Sequence, residues 1–286
     1  MPGLATQVET YSLVIAIGGV PVRVNTTDSD FLAMLQSRYA GFVSSEPCAE
    51  FEFDVELSPP AGSDPDADVT VMHRSGRWFM QRGDFRAEWA PAMRRGTIRQ
   101  SANPYSIDAV LRIVHTLVLA RQGGFLMHAA SAIRNGKAFL FAGVSGAGKT
   151  TISRLAPVDA TLLTDEISYV RKVNNDYVAF GTPFTGELAK LGENTSAPLA
   201  AVYLLAKGLE NRIDRVAVSD AGRELLANML FFAEDPEMVN LAFQAACDFV
   251  HRVPVLRLAF VPDARVWDLV GQPRAFGAAM VQESHI

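Results

Sequence analysis

Three short groups in the middle of the chain have residue types and spacings that can do chemistry. Gly143-Val144-Ser145-Gly146-Ala147-Gly148-Lys149-Thr150 is a complete G-x-x-x-x-G-K-[ST] pattern, with Thr151 directly after it. Its glycines permit backbone conformations and close approaches that a side chain forbids. The freed N–H groups can converge on phosphate oxygens where the loop enters a helix. Lys149 can reach terminal phosphates, and the Thr150 hydroxyl can ligate magnesium. Asp165-Glu166 closes the apolar run Leu162-Leu163-Thr164, sixteen and seventeen residues after Lys149. Adjacent carboxylates at a strand end suit a hard cation and a proton acceptor. His128, fifteen residues before Gly143, adds a side chain that titrates near neutrality.

These groups need a scaffold, and the flanking sequence supplies one. Residues 138–142 (AFLFA) are an unbroken apolar run ending at Gly143, as a buried strand should be. After Lys149, Ile152 and Leu155 fall on one helical face, and Pro157 stops a short helix. Asn135-Gly136 predicts a hairpin that pairs residues 125–133 with 138–142. His128 then lies on a strand beside the one that feeds the loop.

In this order and spacing, His128, the loop 143–150 and Asp165-Glu166 resemble the catalytic domain of HPr kinase/phosphorylase and its bacterial relatives. The resemblance covers about residues 124–270 and is strongest over 124–166. It implies ATP and Mg2+ as cofactors, bound by residues 143–151, with Lys149 on phosphate and Thr150 at the metal; Asp165, at the strand end, is expected to hold the magnesium as well, directly or through water. The resemblance makes Glu166 the proton acceptor and His128 catalytic. Glu187, in Gly181-Thr182-Pro183-Phe184-Thr185-Gly186-Glu187, falls near a later metal-binding Glu of that family. The acid pair is Asp-Glu here rather than Asp-Asp, and no Arg-containing loop of the kind that supports phosphorylase action is found. Relatives of that kinase type include enzymes that tailor ribosomally made peptides. The expected activity is transfer of the γ-phosphoryl group of ATP to a Ser or Thr hydroxyl of a protein or peptide. The alternatives are a nucleotide-dependent regulator or assembly factor with slow or no hydrolysis, and a small-molecule kinase.

Composition sets outer bounds. The 286 residues leave room for two domains, and 49% apolar content is ample for their cores. A net charge of -5 gives no electrostatic footprint for nucleic acid. Cys48 and Cys247 are isolated and indicate neither a disulfide framework nor a zinc site. The first residues lack a basic segment followed by an apolar core, and no apolar run reaches the length of a membrane span. A cytoplasmic protein without a membrane partner is expected, and homo-oligomerisation is left open.

The expected fold class is α/β, with a kinase-type P-loop domain over 104–270 after a small α+β, mainly β domain over 1–103, and a tail over 271–286. In the first domain, Tyr11–Ile17 and 20–24 read as a hairpin around Gly18-Gly19. Asp28 or Ser29 caps a helix with Phe31, Met34, Leu35 and Tyr39 on its apolar face. Phe51, Phe53, Val55 and Leu57 alternate with four acids in a half-buried strand. Residues 59–68 read as a surface loop, and 69–73, 78–81 and 85–89 as short strands. His73 reads as a solvated strand-edge residue. Arg74, Arg77, Arg82, Arg86, Arg94, Arg95 and Arg99 make this stretch basic, which suits a solvated sheet face or a docking surface for an acidic acceptor.

Asn103-Pro104 marks the boundary, and Ser106 caps a helix that Gly123-Gly124 ends. His115 lies beside its apolar stripe and is given no chemical role. Further along, 169–173 and 177–180 flank a hairpin turn, and 182–194 reads as a loop with the composition of a lid. Residues 201–205 and 255–260 read as buried strands, 219–231, 236–250 and 266–270 as helices. Arg212 and Arg215 are candidates for stabilising transferring phosphate.

Overall fold

The computed structural model describes residues 9–59, 67–188 and 191–272. Most of the expected loop at 59–68, and all but the first two residues of the expected tail, lie outside them. The chain is mixed α/β, mainly β, with two sheets and few helices. It forms two compact units: Met1–Val114 with Phe232–Pro236, and His115–Phe231 with Glu237–Ile286.

The described residues of the first unit form a sheet of seven strands, β1 (Tyr11–Ile17), β2 (Val20–Thr26), β3 (Phe51–Leu57), β4 (Thr70–Arg74), β5 (Arg77–Arg82), β6 (Phe85–Ala90) and β7 (Arg95–Gln100), in the order β1-β2-β3-β7-β6-β5-β4. Helix α1 (Ser29–Arg38) starts where Asp28 Oδ1 accepts the Phe31 N–H at 2.8 Å. That satisfies one of the donors a helix start leaves open. It buries Phe31 and Leu35. The strand β7 was not apparent from sequence, because Gly96 and Gln100 fill buried positions and leave Ile98 as its one large apolar residue.

β7 changes the reading of the basic stretch. It lies parallel to the acidic β3, so Arg95 meets Asp54 at 3.2 Å and Arg99 meets Glu56 at 2.7 Å. Arg77 pairs with Glu88 and Arg82 with Asp84, while Arg94 donates to the carbonyls of Ala49 and Glu50. Cross-strand pairs therefore neutralise Arg77, Arg95 and Arg99, and the local Asp84 neutralises Arg82, four of the seven charges that suggested a docking face. His73 stacks on Trp78, ring centroids 4.4 Å apart, with Nδ1 3.4 Å from Asp235.

Helix α2 (Pro104–Arg121) carries the division between the units. The division falls beyond Asn103-Pro104 because the first turns of α2 are bonded to the first unit. Asp108 accepts from Arg38 at 2.6 Å and from Tyr39, and the Ser106 hydroxyl donates to Asp84 at 2.6 Å.

The described residues of the second unit form eight strands: β8 (Phe125–Arg134), β9 (Lys137–Ala142), β10 (Thr161–Thr164), β11 (Ile167–Val173), β12 (Asp176–Phe180), β13 (Ser196–Lys207), β14 (Arg212–Arg215) and β15 (Val255–Phe260). β9 lies beside β8 through the Asn135-Gly136 turn, both residues at positive φ, and runs parallel to β13. Helix α3 (Lys149–Arg154) packs Ile152 with Phe141, Tyr203, Leu258 and Trp267 in one buried cluster. Helices α4 (Val218–Asn228) and α5 (Pro236–Arg252) place Leu225 and Phe249 in a second cluster with Met127, Leu140 and Val202. Alternation along β9 feeds both: Phe139 and Phe141 face one cluster, Ala138, Leu140 and Ala142 the other. The expected last helix is a short 3-10 turn, Ala264–Asp268, whose Trp267 indole donates to the Ile152 carbonyl at 3.0 Å. Among the described residues, no helix is long and apolar enough to cross a membrane.

Candidate functional site

The loop leaves β9 at Gly143 and enters α3 at Lys149. Two glycines have conformations an L side chain resists: Gly146 at φ 76° and Gly148 at φ 112°. A Cβ on Gly148 would also stand 2.7 Å from the Phe260 ring. The turn therefore needs glycine there both for its backbone and for its neighbour. α3 is only six residues long, so its macrodipole is weak. Loop amides and Lys149 must carry any attraction for an anion.

Lys149 Nζ donates to the carbonyl of Gly143 at 2.8 Å and to that of Val144 at 3.3 Å. Partial burial lowers its pKa, opposed by the carboxylates of Glu166 and Glu187. The lysine is thus folded against the loop, with acids on its far side.

Those acids are positioned by a branch in the sheet. β8 pairs with β11 over its first residues, with His128 opposite Ile167, and with β10 further on, with Ser131 opposite Thr164. The chain crosses between these two partners in the corner Thr164-Asp165-Glu166-Ile167. Thr164 Oγ1 stabilises the corner by accepting the N–H groups of Glu166 and Ile167 at 3.2 and 3.3 Å. Strand register thus sets Glu166 next to the residue that pairs with His128.

Asp165 is 3% exposed. Its Oδ1 accepts the Gly186 N–H and its Oδ2 the Leu188 N–H, each at 2.9 Å. Glu187, between them, accepts the Thr150 hydroxyl at 3.2 Å. The first part of the expected lid loop is therefore fastened to the corner, by Asp165 and by the Thr182 N–H on the Leu163 carbonyl at 3.1 Å.

A cleft of 330 Å³ results, lined by His128, Ser145, Gly146, Gly148, Lys149, Thr150, Thr151, Asp165, Glu166, Gly186 and Glu187. Of the candidates from the sequence, Gly143, Val144, Ala147, Arg212 and Arg215 do not line it. Gly143 offers its carbonyl to Lys149, Val144 is 74% exposed, and Ala147 is packed in the core. Arg212 and Arg215 line a separate pocket beside β15, with Arg212 bonded to Asp214. His115 is buried, its Nδ1 3.1 Å from the Tyr169 hydroxyl. Gly186 was missed in the sequence, because its place in the site comes from Asp165, whose Oδ2 a Cβ there would crowd at 3.0 Å.

The residues fit a phosphate-bound cation. A hydroxyl and a carboxylate are hard oxygen donors, and they converge at Thr150 and Glu187. Among the described residues no group of three or more His, Cys, Asp or Glu side chains is placed to hold a metal ion alone. A cation here would take its remaining ligands from water and phosphate, as magnesium commonly does.

The family model described as SynChlorMet cassette protein ScmC matches residues 97–275, more than half of the chain. The chain belongs to that family. This corrects the resemblance to HPr kinase/phosphorylase drawn from His128, the loop and Asp165-Glu166, since the match is to ScmC and to no HPr kinase family. A glycine-rich turn and an acid pair constrain local geometry, and motifs of that size recur on unrelated chains. No curated protein matches the chain.

Proposed function

We propose that this member of the ScmC family is an ATP- and magnesium-dependent phosphotransferase acting on a Ser or Thr hydroxyl of a protein or peptide. The observation that carries the reading is the single cleft in which Lys149, Thr150 and the glycine loop meet His128, Glu166 and Glu187. The strand, loop and helix at 137–154 are read as a P-loop.

Magnesium-bound ATP would supply the transferable phosphoryl group. Lys149 would exchange its bonds to the Gly143 and Val144 carbonyls for phosphate oxygens, which the loop amides also meet. Thr150 and Glu187 would present the metal with a hydroxyl and a carboxylate oxygen. Asp165, the other acid expected at the metal, lines the same cleft. Glu166 would accept the proton of the attacking hydroxyl, with His128, one strand away, orienting it.

One observation favours a second reading. Among the described residues no arginine lines the cleft, and arginine is a common source of transition-state charge stabilisation in nucleotide hydrolysis. A nucleotide-dependent regulator that hydrolyses slowly fits that lining. Incubating the chain with γ-labelled ATP, magnesium and an extract of its own cells separates the readings. Label on a distinct protein or peptide supports the kinase. Label released only as free phosphate supports the regulator, and label on a small product contradicts both.

A further inference from the structure

We infer that Asp165 acts as a latch, holding Glu187 in place through the backbone on either side of it rather than binding the metal itself. The inference rests on the reading of the cleft as a magnesium–nucleotide site, and assigns its two acids different tasks.

Both carboxylate oxygens of Asp165 are engaged by main-chain N–H groups, from Gly186 and Leu188, at 2.9 Å each. The side chain is buried, and an ionised carboxylate gains most from two such donors where water is excluded. The two donors bracket Glu187, so the clamp fixes the backbone of a residue whose side chain reaches Thr150. Gly186 is what lets the loop come this close: a Cβ there would meet Asp165 Oδ2 and Glu166 Cβ at 3.0 Å. Glu187 is exposed and makes its bond from the loop side, where a free surface glutamate would sample many rotamers. The latch fixes the backbone from which that side chain reaches toward Thr150, so only its own rotamers remain to be ordered when a metal arrives.

The test uses the full chain and the variants Asp165→Asn, Gly186→Ala, Glu187→Gln and Asp165→Asn with Glu187→Gln. The first readout is hydrogen exchange at the Gly186 and Leu188 amides without nucleotide. An asparagine offers one acceptor where the aspartate offers two, so exchange at one or both amides should rise roughly tenfold or more. Gly186→Ala, whose Cβ would crowd Asp165 Oδ2 and Glu166 Cβ at 3.0 Å, should raise it too. Unchanged exchange in both variants overturns the latch whatever the cleft binds.

The second readout is the magnesium concentration giving half-maximal affinity for a non-hydrolysable ATP analogue. Asp165→Asn and Glu187→Gln should each raise it by a similar factor, and the double variant should be no worse than Glu187→Gln alone. Multiplying effects would overturn the proposal, because they would put Asp165 on the metal independently. A wild-type chain that binds no analogue would instead overturn the functional reading, with the exchange result still deciding the latch.

Discussion

The Thr150 hydroxyl donates to Glu187 Oε2 at 3.2 Å, across 37 residues of chain. One partner follows the lysine of the glycine loop, and the other rides on a segment fastened to the acid corner. The bond joins two groups that both favour a hard cation. Replacing Thr150 with Val deletes the hydroxyl at similar volume. Nucleotide affinity measured in excess chelator should stay at the wild-type level, while the magnesium needed for full affinity rises about tenfold. Identical magnesium titrations for the two proteins would remove Thr150 from the metal site.

Glu166→Gln keeps the shape of the side chain and removes its ability to take a proton. Phosphoryl transfer should fall by about 10²–10⁴-fold with Mg-ATP affinity preserved. Rapid-quench measurement of a single turnover separates the two quantities. Transfer at the wild-type rate would pass the role of base to His128, the next candidate in the cleft.

A third expectation concerns acid stability. Burial, with the charge of Arg171 as a smaller cause, pushes the His115 pKa from 6.5 down to about 3. Between those values the unfolded chain binds a proton that the folded chain refuses. His115 therefore costs nothing above pH 6.5, and stability falls as the pH drops toward 3, by up to about 1.4 kcal/mol per unit. His115→Gln keeps a polar partner for Tyr169 and does not titrate. Urea unfolding between pH 7 and 4 should show a shallower loss for the variant, and parallel losses would contradict the assignment.

Much of this site is legible in the sequence, because it is built from local signals. Asn135-Gly136 states its own turn, Asp28 its own cap, and the glycines of 143–148 their own backbone. The remainder depends on partners distant in the chain. β7 hides because its buried positions are filled by Gly96 and Gln100 as well as Ile98, and without it the arginines look unpaired. β13 runs from Ser196, well before its apolar run begins, because its first residues pair with β12 and its later ones with β9 and β15. Asp165-Glu166 shows two adjacent acids lining the cleft, yet that Asp165 also holds a loop is decided by Gly186 and Leu188, twenty-one and twenty-three residues away. Family membership was not legible from the motifs either. They describe one turn and one corner, whereas the ScmC match extends over residues 97–275.

The central claim is that Lys149 and its loop bind the phosphates of a nucleotide, and calorimetric titration with Mg-ATP tests it most directly. The wild-type chain should bind with one site per chain. Lys149→Ala, whose lost bonds are only to the Gly143 and Val144 carbonyls, should keep the wild-type circular dichroism and melting profile. Its affinity should fall at least tenfold, the loss of one charge-assisted phosphate contact. Equal affinity in a folded Lys149→Ala protein, or no binding by the wild type, would contradict the account.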